Sequence, residues 1–464
     1  MVFIMVYKKL IVPATILVLA AALLIPIVLT GYAELERAEH EFQAGNYAAS
    51  VESYEKSARM LPWRDDLWEK AGISAANLGR AEDAIDFFGR APALSPQGSM
   101  LLGYSYYGVG DTSSAIRALE ASQLSLAYKL LAHIHGQQKD WTAEQKALEA
   151  QLGLDDGDSY AHYRLGLILS LFEPGQSLPH LMRASSLDPE FDPAVQTMRA
   201  ALNVSATQPD RSSQMVTIGR ALGLVQDWEL SFLAFESAVQ ADAESAEAWA
   251  WLGEAKQQLG RDGRVELDQA VRLDRTSVIV RALRGLYWYR QQKYEQMLAE
   301  YLLAAEYEPS NPAWMAELGN AYTLNGDLAE ALVAYQKAIE LAPDEATYWR
   351  LLAVFCAENG VHVEDLGLPA ALKAVELKPD DRFTLDTLGW LYLSTGRFAT
   401  AEQTLLDVLN KYPDHYSANI HLAMTYLAQG NREAAYEQLV YVRDADVDGS
   451  DGLFAKQLLA KYFP

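Results

Sequence analysis

The stretch NGDLAEALVAYQKAIELAPDE, residues 325–345, decides the fold. It places Gly326, Ala331, Tyr335, Ala338 and Pro343 at steps of five, four, three and five, and fills the space between with strong helix formers. The spacing recurs. GNYAASVESYEKSARMLP (45–62) has Gly45, Ser50, Tyr54, Ser57 and Pro62 at the same offsets. GRAEDAIDFFGRAPALSP (79–96) has Gly79, Ala84, Phe88, Ala91 and Pro96, and GRFATAEQTLLDVLNKYP (396–413) has Gly396, Ala401, Leu405, Val408 and Pro413. Upstream of each copy lies a second pattern, as in ELGNAY (317–322), WLGEAK (251–256) and TLGWLY (387–392), with Trp249 three residues before Leu252 and Trp68 three before Ala71.

Two short antiparallel helices account for this pattern. Small residues such as Gly319 and Ala331 let the helices of one unit cross closely. Tyr335 fills the space beside them, and Ala338 admits the next unit. Asn-Gly or Gly-Asp makes the turn, and Pro343 ends the second helix. One such pair cannot bury its apolar face alone, so pairs must stack.

The period and the Trp–Leu–Gly–Tyr…Ala…Tyr…Ala…Pro pattern resemble the tetratricopeptide repeat family over about residues 31–443. The resemblance implies an all-α, right-handed solenoid of about twelve helix-turn-helix units, with starts near 31, 65, 96, 125, 159, 212, 246, 278, 312, 346, 382 and 416. The unit at 96 is short, that at 246 has a curtailed second helix, and that at 346 carries an insertion around Val361 to Leu366. NVSATQPDRS (203–212) is polar and breaks the register, so 31–202 and 212–443 are expected to form two arrays joined by a linker at 203–211. Beyond Arg443, the acidic loop DADVDGSDG leads into LFAKQLLAKYF (453–463), an amphipathic segment suited to covering the last repeat.

The N-terminus reads differently. Lys8 and Lys9 precede Leu10–Thr30, 21 residues without a charge, and Glu34, Glu36 and Glu39 follow. As a helix this run is roughly 31 Å long, enough to cross a hydrocarbon core. The charge bias predicts a cytoplasmic tail at 1–9, a transmembrane helix at 10–30 and an extracytoplasmic array in the cell membrane. The rival reading is a cleaved signal peptide ending at Gly31-Tyr32-Ala33, which would make the chain a soluble secreted adaptor.

Composition sets outer limits. The chain has 464 residues, half of them hydrophobic, and a formal net charge of -24, which disfavours nucleic acid as a partner. The single cysteine, Cys356, permits no intramolecular disulfide and no cysteine-rich metal module. No metalloprotease HExxH, GxSxG elbow, phosphate loop or dinucleotide fingerprint is present, and no cofactor or catalytic residue is expected.

Three features invite a functional reading. Asp444, Asp446, Asp448 and Gly449 begin like an EF-hand calcium loop, but the position of the bidentate glutamate holds Ala455, so the loop reads equally as a turn in which Ser450 or Asp451 caps the last helix. Between 261 and 293, eight arginines and lysines face four carboxylates. Arg281 and Arg284 there serve either as a docking patch for an acidic partner or as ion-pair partners of nearby carboxylates. The resemblance implies peptide binding along the first helices of the units, a surface that by register includes Tyr289, Arg290, Asn320, Thr323, Arg350, Asp386 and Trp390. Trp390 is either an aromatic anchor for a peptide or packing for the next repeat. The expectation is therefore a membrane-anchored, non-catalytic scaffold that assembles a membrane or envelope complex through protein–protein contacts. The alternative to it, besides the secreted adaptor, is a regulatory subunit of an envelope enzyme such as a glycosyltransferase.

Overall fold

The computed structural model describes the backbone of residues 2–464 and the side chains from residue 21 onward. Among the described residues there are twenty-six α-helices and no strand. The helices come in consecutive antiparallel pairs, for example Asp66–Asn77 with Ala81–Arg90, Val278–Arg290 with Tyr294–Tyr307, Pro312–Asn325 with Leu328–Leu341, and Arg382–Ser394 with Phe398–Lys411. The chain divides into two compact units. One comprises residues 1–210 and 217–234, the other 211–216 and 235–464. Asn203–Ser205, expected to begin a linker, are the last residues of the helix Asp192–Ser205, and a new helix starts at Arg211.

The stretch at 325–345 shows why the pairs form. The first helix starts with Pro312 behind Asn311, whose side chain accepts the Ala313 N–H, and it stops at Gly326. Gly326 has φ 90°, a left-handed value that suits glycine and reverses the chain in one residue. The second helix then lays Tyr335 on the first, so that a Cβ built on Gly319 would stand 2.7 Å from the Tyr335 ring. The missing side chain is the socket for the aromatic ring. Gly285 and Tyr301, Gly72 and Phe88, and Gly389 and Leu405 repeat the arrangement. Ala331 and Ala338 are fully buried at the helix crossings. The tryptophan of the pattern ties each unit to the turn before it: the Trp349 indole N–H donates to the Pro343 carbonyl at 2.8 Å, and that of Trp249 to the Ala243 carbonyl at 2.8 Å.

Departures from the period are absorbed locally. The extra residues of the unit at 346 form a wide helical turn, Val363–Gly367, after Gly360 and His362, both in the left-handed region. In the unit at 246 the second helix is short, Arg264–Leu273. At the C-terminal end the helix Ser450–Tyr462 sets Ala455, Leu458 and Leu459 against Ile420, Ala423, Leu439 and Val442, closing the core of the last pair.

The first helix runs from Val2 to Gln43. Among the described residues no helix is long and apolar enough to cross a membrane. The predicted span Leu10–Thr30 lies in its first half outside the described side chains.

Candidate functional site

Arg350, Asp386 and Trp390 converge. The helices Ala346–Asn359, Arg382–Ser394, Tyr416–Gln429 and Ser450–Tyr462 present side chains to one open recess of about 280 Å3. Arg350, Val354 and Glu358 line it from the first helix, and Phe383, Asp386, Thr387 and Trp390 from the second. Ser417, Ile420 and His421 come from the third, and Asp451 and Phe454 from the last. The capping helix therefore supplies one wall of the recess.

The floor is a buried polar cluster. Asp386 is 6% exposed, His421 Nδ1 lies 2.7 Å from one carboxylate oxygen, and His415 Nε2 lies 3.5 Å from the other. Burial alone would push the Asp386 carboxyl up, but the two imidazoles outweigh it and hold the group at about 2. Trp390 stacks on His421 with ring centroids 4.7 Å apart and planes inclined by 17°. Hydrogen bond and stack together fix the His421 ring in two directions. Phe383 and Phe454 stand at the rim, 48% and 45% exposed. Among the described residues Arg350 makes no ion pair, and no other arginine or lysine lines the recess.

The remaining arginines of the predicted set are engaged. Arg281 is buried, with Nη1 2.8 Å from Glu300 Oε2 and both Nε and Nη2 donating to the Arg275 carbonyl. Arg284 bridges Glu300 and Asp268, each at 2.8 Å. Arg290 forks onto the buried Glu254 carboxylate with two 2.7 Å hydrogen bonds. Arg264, Arg284 and Lys293 surround the Trp288 ring. Arg281, Arg284 and Arg290 are thus met by carboxylates from neighbouring helices. Tyr289 is exposed and leans on Tyr294, Asn320 is exposed, and Thr323 donates its hydroxyl to the Gly319 carbonyl within its own helix. None of these three reaches the recess.

The acidic loop holds itself together. Arg443 forks onto Asp444. Asp446, and neither Ser450 nor Asp451, accepts the Gly452 N–H in the first turn of the last helix, while Asp451 accepts the Ser417 hydroxyl. Among the described residues no three His, Cys, Asp or Glu side chains are grouped to hold a metal ion, at Asp444, Asp446 and Asp448 or elsewhere.

The first unit holds a larger recess, about 530 Å3, that was not anticipated from the sequence. Tyr104, Lys129, His133, Gln137, Tyr160 and Arg164 are among its lining residues. Its cations are closed: Lys129 reaches Asp158 at 2.8 Å, and Arg164 is held by Glu144 and Asp227.

His421, Phe383 and Phe454 were likewise missed. His421 sits 35 residues after Asp386, close to one repeat period, and that spacing was the available signal.

Comparison with known proteins agrees with the architecture. Family profiles described as tetratricopeptide repeat match residues 315–345, and residues 35–99 and 387–446. A TPR repeat-containing protein of Pseudomonas aeruginosa is 29% identical over 146 residues, 27% of this chain and 25% of that protein. Superkiller complex protein 3 of Mus musculus is 22% identical over 360 residues, 71% of this chain and 20% of that protein. The chain spans a quarter or less of the length of these curated relatives. Among solved structures, yeast Tom70 aligns over 93% of this chain and 95% of its own at 13% identity, with a TM-score of 0.42. Matched profiles, glycine sockets and stacked helix pairs lead to one statement: the chain carries tetratricopeptide repeats, and its described residues are all-helical.

Proposed function

We propose that the chain is a non-catalytic scaffold, anchored in a membrane by residues 10–30 with the array outside the cytoplasm. In this reading the second unit captures a protein partner of a membrane or envelope complex. The observation that carries the binding site is Arg350: of the four arginines singled out in the sequence it alone has no carboxylate partner among the described residues, and it opens into a recess walled by Phe383, Trp390 and Phe454. A guanidinium beside aromatic faces suits a segment with a carboxylate next to an apolar side chain. The carboxylate forks onto Arg350, and the apolar group covers Trp390.

Affinity purification from solubilised membranes identifies the partner, and point variants then locate the contact. Arg350→Glu and Trp390→Ala each weaken binding by about 1–3 kcal/mol with the fold intact. Tighter binding by Arg350→Glu would reveal a basic segment and sink the acidic reading. Normal binding by both variants, with loss in Tyr160→Ala, would move the surface to the first unit. For the anchor, the membrane-bound chain resists carbonate extraction. A soluble mature chain beginning at Glu34 refutes it.

A further inference from the structure

The described part of the first helix carries an unusual surface. Residues 22–27 are exposed one after another, with Leu23 at 72%, Leu24 at 57% and Ile25 at 56%, and Leu29 beyond them is 65% exposed. Consecutive helical residues lie about 100° apart, so this apolar surface runs round the helix and forms no single stripe. A partner helix would cover one face of it. Hydrocarbon covers all faces.

The apolar surface stops at a defined level. Gly31 is buried against the turn that ends the first helix pair: a Cβ there would meet the Leu61 side chain at 2.8 Å, and the Ser57 hydroxyl donates to the Gly31 carbonyl at 2.9 Å. That close approach locks the first repeat onto the helix at the point where the uncharged run ends. Three residues of this junction are suited to a water–lipid boundary. Tyr32 is 45% exposed, and Trp63 is 55% exposed just beyond the Leu61 contact. Arg64 is forked on Asp66 and also faces the Tyr32 hydroxyl. Tyrosine and tryptophan with a neighbouring cation favour the headgroup level of a bilayer.

We infer that Tyr32, Trp63 and Arg64 form an interfacial collar that seats the first repeat directly on the membrane surface, with Trp63 at the headgroup level. The inference rests on the anchor proposed above. It adds that a repeat, and not only a helix, touches lipid. No linker separates the two, because the helix is continuous from Val2 to Gln43.

The test is the position of residue 63 relative to lipid. In the full chain, Trp63→Cys and, as an aqueous control, Leu126→Cys are labelled with a thiol fluorophore. Leu126 is 58% exposed in the fourth repeat. The native Cys356 is fully buried, and burial pushes its thiol up to about 11, so a brief exposure to reagent labels the exposed cysteine ahead of it. The chains are reconstituted in phosphatidylcholine vesicles whose acyl chains are brominated near the headgroup. The expected result is a loss of fluorescence at residue 63 and none at residue 126, in a chain that resists carbonate. Pro62→Cys, also exposed, gives a second reading if the first variant misfolds. A carbonate-resistant chain with residue 63 as unquenched as residue 126 overturns the collar and leaves the anchor standing. A label at residue 63 shielded from both bromolipid and aqueous iodide means that protein covers the patch, and also overturns it. A chain released by carbonate removes the anchor itself, and the collar with it.

Discussion

A buried charge is decided by its immediate neighbours. Arg281 and Glu300 are each about one-twelfth exposed at the side chain, and Glu300 also holds Arg284. Removing Glu300 strands a guanidinium in the interior, so Glu300→Ala should cost about 3–5 kcal/mol. The exposed Lys337–Glu340 pair, one turn apart on a helix surface, is the control: Glu340→Ala should cost about 0–1 kcal/mol. Urea unfolding midpoints of the two variants check the difference, and equal midpoints would contradict the interior placement of Glu300. Asp386 is the pH-dependent case. Its folded pKa, about 2, lies below the ordinary 3.8, so its contribution to stability is complete above the unfolded value and is lost as pH falls through the folded one. Melting temperature should therefore fall from about pH 4 towards pH 2 more steeply in the parent than in Asp386→Asn, which is less stable at neutral pH and flatter in acid. Two pairings were beyond the reach of a local charge count. Arg290 meets Glu254 across 36 residues and His421 meets Asp386 across 35, so each partner is roughly one repeat away, where a window along the chain does not look.

The helix pairs, by contrast, were legible in the sequence. The small–large–small–proline rhythm is imposed by the crossing of two helices, and geometry allows few substitutes for a glycine beneath a ring. That is why Gly319 and Tyr335 could be placed from sequence, and why Gly389 with Leu405 obeys the same rule without an aromatic residue. Turn chemistry was less legible: the last helix is capped by Asp446 from outside the expected position, because the loop folds back over the helix start. The crossing also makes a sharp mutational contrast. Ala331 is fully buried, and Ala329, two residues earlier, is exposed. Ala331→Leu should overpack the crossing and cost about 1–3 kcal/mol. Ala329→Leu should shift the thermal midpoint little, and indistinguishable midpoints would mean that the helix is rotated from the position described.

At the scale of the molecule, each unit is a row of pairs in which a helix touches mainly its neighbours, so stability is a sum of local terms and short stretches can open without the rest. One native group times such openings. Cys356, the only thiol in the chain, lies fully buried in the helix Ala346–Asn359, within the second unit. A thiol reagent reaches it only while that part of the row is open. Its labelling rate is then a clock built into the protein, reading how often the helix that carries Arg350 lets go of its neighbours. A bound partner segment should slow that clock, in proportion to its occupancy, without any engineered probe.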